Sequence, residues 1–408
     1  MSAHRRILFF GEPATMAHVV RPVVLARALD PARYTVQLAT GPDFRRLAAE
    51  AGLAVRELDS IGSRAYLAAV ASGRVVFPYR TLERYVADDL RHIDAFKPDL
   101  VVGDFRLSLA VSARLARVPY VGLSNAYWSP HASARMQIPV LPVTRLIGWR
   151  SADRVFRAVA PAVFAQHSLP MHRLRRRHGL PAVGLDLRRV FTEADVTLFA
   201  DVPQMVPTEA AHVPGRYRYI GPVVWSPPGT VPAALSGRTD PRPLAYLALG
   251  SSGDPRLLDQ VIVGLTAAGC RIALASGGAL LPATLPHDAV VADFLPGSEM
   301  AALSRLVVCN GGSPSTHQAL QRGTPVLGIP ANLDQLLNMQ FVADTGAGLA
   351  VRADAVSPGA ITAAAVRLLG EATFAQGAAT VAHWFGAYDS AARFASVVDA
   401  LVAGSPHS

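Results

Sequence analysis

VVCNGGSPSTHQALQRGTPVLGIPANLDQLLNMQFVADTGAGLAV, Val307 to Val351, decides how this chain folds. An apolar strand, Leu306-Val307-Val308-Cys309, runs straight into Asn310-Gly311-Gly312-Ser313-Pro314-Ser315-Thr316 and then a helix-like run from His317 to Arg322. Adjacent glycines let a backbone turn tightly and approach a ligand closely. Ser315 and Thr316 stand where a helix N-cap belongs, and a helix N-terminus with small hydroxyl residues suits a phosphate or pyrophosphate. A second strand, Pro325 to Pro330, leads to Asp334, Gln335 and Asn338. These polar residues fall just beyond a strand's C-terminal end, where open α/β sheets bind ligands. A glycine-rich turn into a helix is also a plain structural device, so the loop alone is a weak signal.

The whole stretch is far more specific. NGGSPSTHQAL…GTPVLGIPANLDQLLNM…GAG resembles the donor-binding signature HGGxGTxxEAL…GxPxxxxPxxxDQxxNA…GxG of the family 1 nucleotide-sugar-dependent glycosyltransferases, of the bacterial macrolide and natural-product type. The resemblance implies an α/β chain of GT-B fold, with two facing Rossmann-like, doubly wound domains and an interdomain cleft.

Bulk properties agree with two domains, because 408 residues exceed what one core usually organises. The composition, 51% hydrophobic and 17% charged, is that of a globular protein. Cys270 and Cys309 sit in apolar strand contexts and read as buried, inert thiols, with no metal-ligand spacing and no disulfide framework. A reducing cytoplasm fits. No signal peptide precedes the first strand and no apolar run reaches membrane-spanning length. The net charge of +9 is carried by arginine, Lys97 being the only lysine, and this looks like compositional bias as much as function. It also favours anionic substrates or peripheral contact with an anionic membrane surface. No nucleic-acid motif and no basic–aromatic interleaving is present, so nucleic acid is excluded as a partner.

The N-terminal half opens with a buried-strand run, Arg6 to Phe10, a loop, a helix from Met16 through Leu29, and a strand from Tyr34 to Thr40. This is a β–α–β unit of a parallel sheet. Its loop is not GxGxxG, which argues against a nicotinamide dinucleotide. His18 lies at the strand-to-helix turn, where a lone histidine is often just a polar loop residue. MAHVVRPVVLARAL, however, resembles the family's GHxxPxxxLAxAL stretch, whose histidine is the catalytic base; Ala17 replaces the glycine. A base of this kind needs a carboxylate to orient it. Lys97 to Phe105 is a strand ending in Asp104, followed by a helix and the strand Pro119 to Ser124. The segment resembles the one that carries the partner aspartate. A helix N-cap or a ribose contact are the other readings of Asp104.

From Ala126 to Arg189 the pattern loosens into Pro-rich loops and amphipathic helices. The family builds its acceptor pocket here, which makes Tyr127, Trp128, Met136 and Trp149 pocket candidates, although core packing explains each nearly as well. The run Arg173 to His178 reads most simply as a solvated basic face. Thr192 to Phe199 resembles the last strand of an N-terminal domain spanning residues 1–220. Residues 221–243, rich in Pro, Gly and Ser, form a linker, and the donor domain covers 244–382. The tail, 383–408, reads as a final helix packing back on the N-terminal domain.

In the donor half, Gly250-Ser251-Ser252-Gly253 resembles the loop whose hydroxyl and backbone groups hold the diphosphate. Phe294 can stack on a nucleobase, but Gly297 cannot read a base edge through a side chain. Asn310 stands where the family has a histidine on the pyrophosphate, and Gln318 where it has a ribose-binding glutamate. An amide carries no charge. Gly312, Ser315, Thr316, Asp334 and Gln335 remain as donor contacts, and the Asp-Gln pair can read the hydroxyls of a hexose such as glucose.

The resemblance therefore implies an inverting, metal-independent hexosyltransferase. His18, oriented by Asp104, would deprotonate a hydroxyl of a hydrophobic small molecule, which would attack the anomeric carbon of a UDP- or TDP-linked hexose. No Asp-x-Asp occurs, and no cofactor beyond the sugar nucleotide is called for. The other readings are a lipid-linked or nucleotide-sugar-modifying enzyme on this fold, and a non-catalytic sugar-nucleotide binder. Monomer and homodimer are equally compatible with the sequence.

Overall fold

The computed structural model describes residues 4–209, 215–236, 240–250, 252–278, 280–281 and 285–403. The chain divides into two compact units, one of Met1–Ser133, Ala158–Val223 and Tyr388–Ser408, the other of Ala134–Arg157 and Val224–Ala387.

Unit 1 is built on a parallel sheet. Its strands among the described residues are β1 (Arg5–Gly11), β2 (Tyr34–Thr40), β3 (Ala54–Glu57), β4 (Leu100–Asp104), β5 (Tyr120–Ser124), β6 (Val196–Phe199) and β7 (Tyr217–Tyr219), in the order β3-β2-β1-β4-β5-β6-β7. β1 shows why these strands read as unbroken apolar runs. Ile7 and Phe9 enter one buried cluster with Leu25 and Val102, while Leu8 and Phe10 enter another with Val101 and Leu109. A strand covered on both faces needs no polar alternation. The helices include α1 (Ala17–Arg27), α2 (Tyr79–Phe96), α3 (Leu109–Ala116) and α4 (Trp149–Arg177), of which residues 149–157 group with the second unit. β6 is not the last strand of the sheet, as the sequence suggested. The three-residue edge strand β7 pairs beyond it.

Unit 2 repeats the plan with β8 (Leu244–Ala248), β9 (Arg271–Ala275), β10 (Val290–Ala292), β11 (Leu306–Cys309), β12 (Val326–Gly328) and β13 (Gly348–Ala350), in the order β10-β9-β8-β11-β12-β13 and parallel throughout. Helix α5 (Ser313–Gln321) follows β11, and α6 (Leu333–Asp344) follows β12. Residues 134–157, read from the sequence as part of the N-terminal domain, group with this unit. They are fastened by Arg352, whose Nη1 donates to the Ile138 carbonyl at 2.8 Å, and by the Val140 N–H on the Ala331 carbonyl at 2.7 Å.

The tail divides at Ala387. Trp384 and Phe385 end a helix, Ala372–Gly386, of unit 2, and Phe385 packs edge-on against His317. The last helix, α7 (Ser390–Ala403), belongs to unit 1, where Phe394, Val397, Val398 and Val402 complete the cluster beneath β1. Gly221 and Tyr388 meet where the chain leaves and re-enters this unit. A Cβ at Gly221 would lie 2.3 Å from that of Tyr388, and its φ of +89° suits glycine. Cys270 and Cys309 are buried free thiols, pushed up by burial to about 11 and about 12. No helix among the described residues is long and apolar enough to cross a membrane.

Candidate active site

Each sheet reverses its winding direction once, between β1 and β4 in unit 1 and between β8 and β11 in unit 2. Loops diverge at such switch points and leave a crevice beyond the strand ends. In unit 1 the register pairs Gly11 with Asp104, so the residues following β1 sit beside the end of β4. His18, the second residue of α1, is thereby brought to Asp104, with Nδ1 2.8 Å from Oδ1. A carboxylate at that distance fixes the proton on Nδ1 and leaves Nε2 as the basic atom.

Asp104 is fully buried, and a buried carboxylate must be compensated. Arg21, one helical turn beyond His18, supplies the compensation. Its Nε donates to Oδ2 at 2.8 Å and its Nη2 to Oδ1 at 2.9 Å, while Nη1 donates to Asn125 Oδ1 at 2.7 Å. Asn125 in turn donates to Asp201, which also accepts the Ala126 N–H at 2.6 Å. Burial is the largest influence on Asp104 and raises its pKa, yet Arg21 and the His18 hydrogen bond together outweigh it and hold the carboxyl below its ordinary value. Sequence reasoning missed Arg21. It stands where the GHxxP motif has its proline, displaced here to Pro22, and that displacement was the available signal.

Phe105 has a left-handed backbone, φ +58°, and lays its ring parallel to His18 at 4.5 Å. Tyr66, Phe77 and Phe191 pack around Phe105, and Trp128 meets Phe191 edge-on at 4.7 Å. Trp128 thus belongs to an aromatic wall reaching the histidine, whereas Tyr127 is fully buried. Met136 and Trp149 fall in unit 2, where Arg352 lies over the Trp149 ring at 5.2 Å. The four acceptor candidates are therefore not one cluster. Behind the wall, the buried Arg106 bonds Glu12 and Asp89 at 2.8 Å each and lies 3.7 Å over the Tyr85 ring, locking the loops after β1 and β4 together. Burial pushes the Asp89 carboxyl up against the opposing pull of Arg106.

In unit 2 the loops after β8 and β11 are stitched by amides. Asn310 Nδ2 donates to Ser252 Oγ at 3.0 Å, and its Oδ1 accepts the Gly312 N–H at 3.0 Å. Gln335 Nε2 reaches the same Ser252 hydroxyl at 3.2 Å. The Gln335 side-chain oxygen, Oε1, accepts the N–H groups of Ala331 and Asn332, completing a capping box at the start of α6. Gln335 is thus committed to its own helix, and its acceptor is occupied; Asp334 beside it is half-buried. Helix α5 begins at Ser313 with Gly312 as N-cap, earlier than the sequence suggested, because Pro314 is preorganised for a first turn. Ser315 therefore lies within the first turn, half-buried. The Thr316 hydroxyl is buried, turned back on the Gly312 and Ser313 carbonyls and held by Asn338 Nδ2 at 2.9 Å.

Two of the departures from the family pattern prove to be one. A Cβ on Gly297 would lie 2.5 Å from Gln318 Oε1, so the missing side chain makes room for that amide, whose Nε2 donates to the Trp225 carbonyl. Phe294 is 61% exposed, a free ring in the position expected to stack on a base. Ser251 lies outside the described residues. Among those described, no His, Cys, Asp and Glu cluster could hold a metal ion.

The family described as Erythromycin biosynthesis protein CIII-like, C-terminal domain, matches residues 264–401. A PGL/p-HBAD biosynthesis glycosyltransferase of Mycobacterium tuberculosis is 44% identical over 386 residues, covering 95% of this chain and 90% of its own. A PGL/p-HBAD biosynthesis rhamnosyltransferase of Mycobacterium bovis is 43% identical over 382 residues, covering 94% and 84%. Among solved structures, spinosyn rhamnosyltransferase SpnG complexed with thymidine diphosphate superposes with a TM-score of 0.70 at 20% identity, over 96% of this chain and all of that one. The chain accordingly belongs to the GT-B glycosyltransferases of family 1, in the bacterial natural-product branch that includes the mycobacterial PGL/p-HBAD enzymes.

Proposed function

We propose that this glycosyltransferase moves a hexose from a UDP- or TDP-linked donor to a hydroxyl of an apolar acceptor, with inversion and without a metal. The observation that carries the reading is the His18–Asp104 pair, 2.8 Å apart at the switch point of unit 1 and clamped by Arg21. His18 Nε2 takes the acceptor proton as the oxygen attacks the anomeric carbon, and the imidazolium that forms is stabilised by the adjacent carboxylate. The first turn of α5, with Gly312 and the Asn310 amide, receives the charge developing on the departing diphosphate. The ring of Phe294 covers the base.

Two features bear on the substrates. The occupied acceptor of Gln335 weakens the case for glucose made from the Asp-Gln pair, and the rhamnosyltransferase relative favours rhamnose as the sugar. The aromatic wall from Phe105 to Trp128, together with the names of the relatives, favours an acceptor of the PGL/p-HBAD class. The test is a donor panel of UDP-glucose, TDP-glucose and TDP-rhamnose with a hydrophobic hydroxyl acceptor, measuring product and released nucleoside diphosphate, with and without EDTA. Transfer from one donor, unchanged by EDTA and abolished in His18→Ala, is expected. No transfer from any donor, with no thermal shift from any nucleoside diphosphate, would refute the reading.

A further inference from the structure

The basic run near residue 175 does not act as one solvated face. Arg175 is buried, donating to the Ala110 and Pro181 carbonyls. Arg173, Arg176 and Arg177 instead turn outward and, with Arg80, Pro78 and Tyr79 at the start of α2, line an open concavity of about 670 Å³. Among the described residues Arg80, Arg173 and Arg176 make no ion pair, and Arg177 has only the half-buried Glu83, at 3.4 Å. The first turn of α2 carries no acidic residue and no side-chain cap, so its partial positive charge adds to the four guanidinium groups.

The same face of α4 continues as an apolar stripe. Val159, Ala162 and Leu169 follow at spacings of three and seven residues, all exposed, in line with Arg173 and Arg176–Arg177. Asp153, the one acidic residue of this helix, is buried and bonded to the Ile138 N–H and Arg157. A helix that presents a solvent-facing apolar stripe, arginines and no exposed acid matches the interface of a bilayer rather than water.

We propose that α4, with the arginine pocket at its end, docks this enzyme on an anionic lipid bilayer. The stripe enters the acyl boundary and the pocket takes lipid phosphate groups. Phosphate is the chemistry the four guanidinium groups recognise. The apolar stripe beside them selects a bilayer over a soluble phosphate. The inference does not depend on the transferase reading, since it concerns binding and uses none of the groups at His18 or Asn310.

The experiment is co-sedimentation of the full chain with vesicles of phosphatidylcholine alone and of phosphatidylcholine mixed with phosphatidylglycerol. Binding to the mixed vesicles and not the neutral ones is expected, weakening with salt. The triple variant Arg173→Gln, Arg176→Gln, Arg177→Gln should lower affinity about a hundredfold. A control triple, Arg46→Gln, Arg256→Gln, Arg367→Gln, removes the same charge from exposed, ion-paired sites elsewhere and should retain most of the binding. Val159→Ser with Leu169→Ser should weaken what survives at high salt. Equal loss in both triples would reduce the effect to net charge and overturn the proposal. So would equal binding to neutral vesicles, or protection of the pocket by inorganic phosphate with no vesicle binding. His18→Ala should bind vesicles like the parent, so failure of the transferase assay and failure of docking remain separate results.

Discussion

At the scale of single residues, the candidate chemistry depends on keeping one buried carboxylate ionised. Asp104 meets Arg21 through two hydrogen bonds and His18 through a third, and this holds its pKa low despite complete burial. A carboxyl depressed in the folded state stabilises the protein above its unfolded pKa of about 4, and the contribution is lost as pH falls through the folded value. Replacing Arg21 removes the charge and leaves the burial. Arg21→Gln should therefore raise the Asp104 pKa, move the acidic limb of the kcat/KM profile to higher pH, and destabilise the fold by up to about 3–5 kcal/mol. Arg21→Lys should restore part of the stability without restoring the forked contact. A purely structural arginine would lower stability and leave the pH profile where it was. His18 and Asp104 were legible in the sequence because the segments that carry them resemble the family's motifs and place both at one sheet edge. Arg21 was not, since nothing local shows that a helical arginine will meet a carboxylate 83 residues away.

At the scale of elements, legibility followed length and burial. β1, β4 and β5 are runs of five to seven residues covered on both faces and were read directly. β3 and β7 are only four and three residues long, the first largely exposed and the second half-buried, and carry no apolar run to read. Helix α4 was obscured by Pro161 and Pro170, which normally interrupt a helix but are accommodated here. In the donor loops, the altered residues Gly297 and Gln318 depend on each other through space. Gly297→Ala would press a methyl onto the Gln318 amide and force it off the Trp225 carbonyl, at about 1–3 kcal/mol. In Gln318→Ala the same Gly297→Ala change should be nearly neutral. A double-mutant cycle by denaturant unfolding measures the coupling, and additive effects would show the two positions to be independent.

At the scale of the molecule, α7 supplies part of the core of unit 1. Phe394, Val397, Val398 and Val402 are buried in its core, and Asp399 accepts hydrogen bonds from Arg33 and Tyr34. Burying four such side chains is worth about 6–12 kcal/mol, comparable with the total stability of about 5–15 kcal/mol of a folded domain. A chain ending at Ala387 should therefore lose the protease resistance of unit 1, while a fragment beginning near Val224 stays protected. Mass spectrometry of the limited digest would show this. Equal survival of unit 1 in the truncated chain would mean its core closes without α7.

Local pattern was enough to place the two parallel α/β sheets, the candidate loops at their strand ends, and a histidine and an aspartate on one sheet edge. These follow from local apolar runs and from which residue ends a strand or opens a helix. Tertiary packing was needed to show that Arg21 clamps Asp104, that Gln318 fills the space left by Gly297, that residues 134–157 fold with unit 2, and that Arg175 is buried while Arg173, Arg176 and Arg177 face outward. An apolar or charged pattern specifies that a side chain must find a partner. Which partner it finds is set by the packing of segments far apart in the chain.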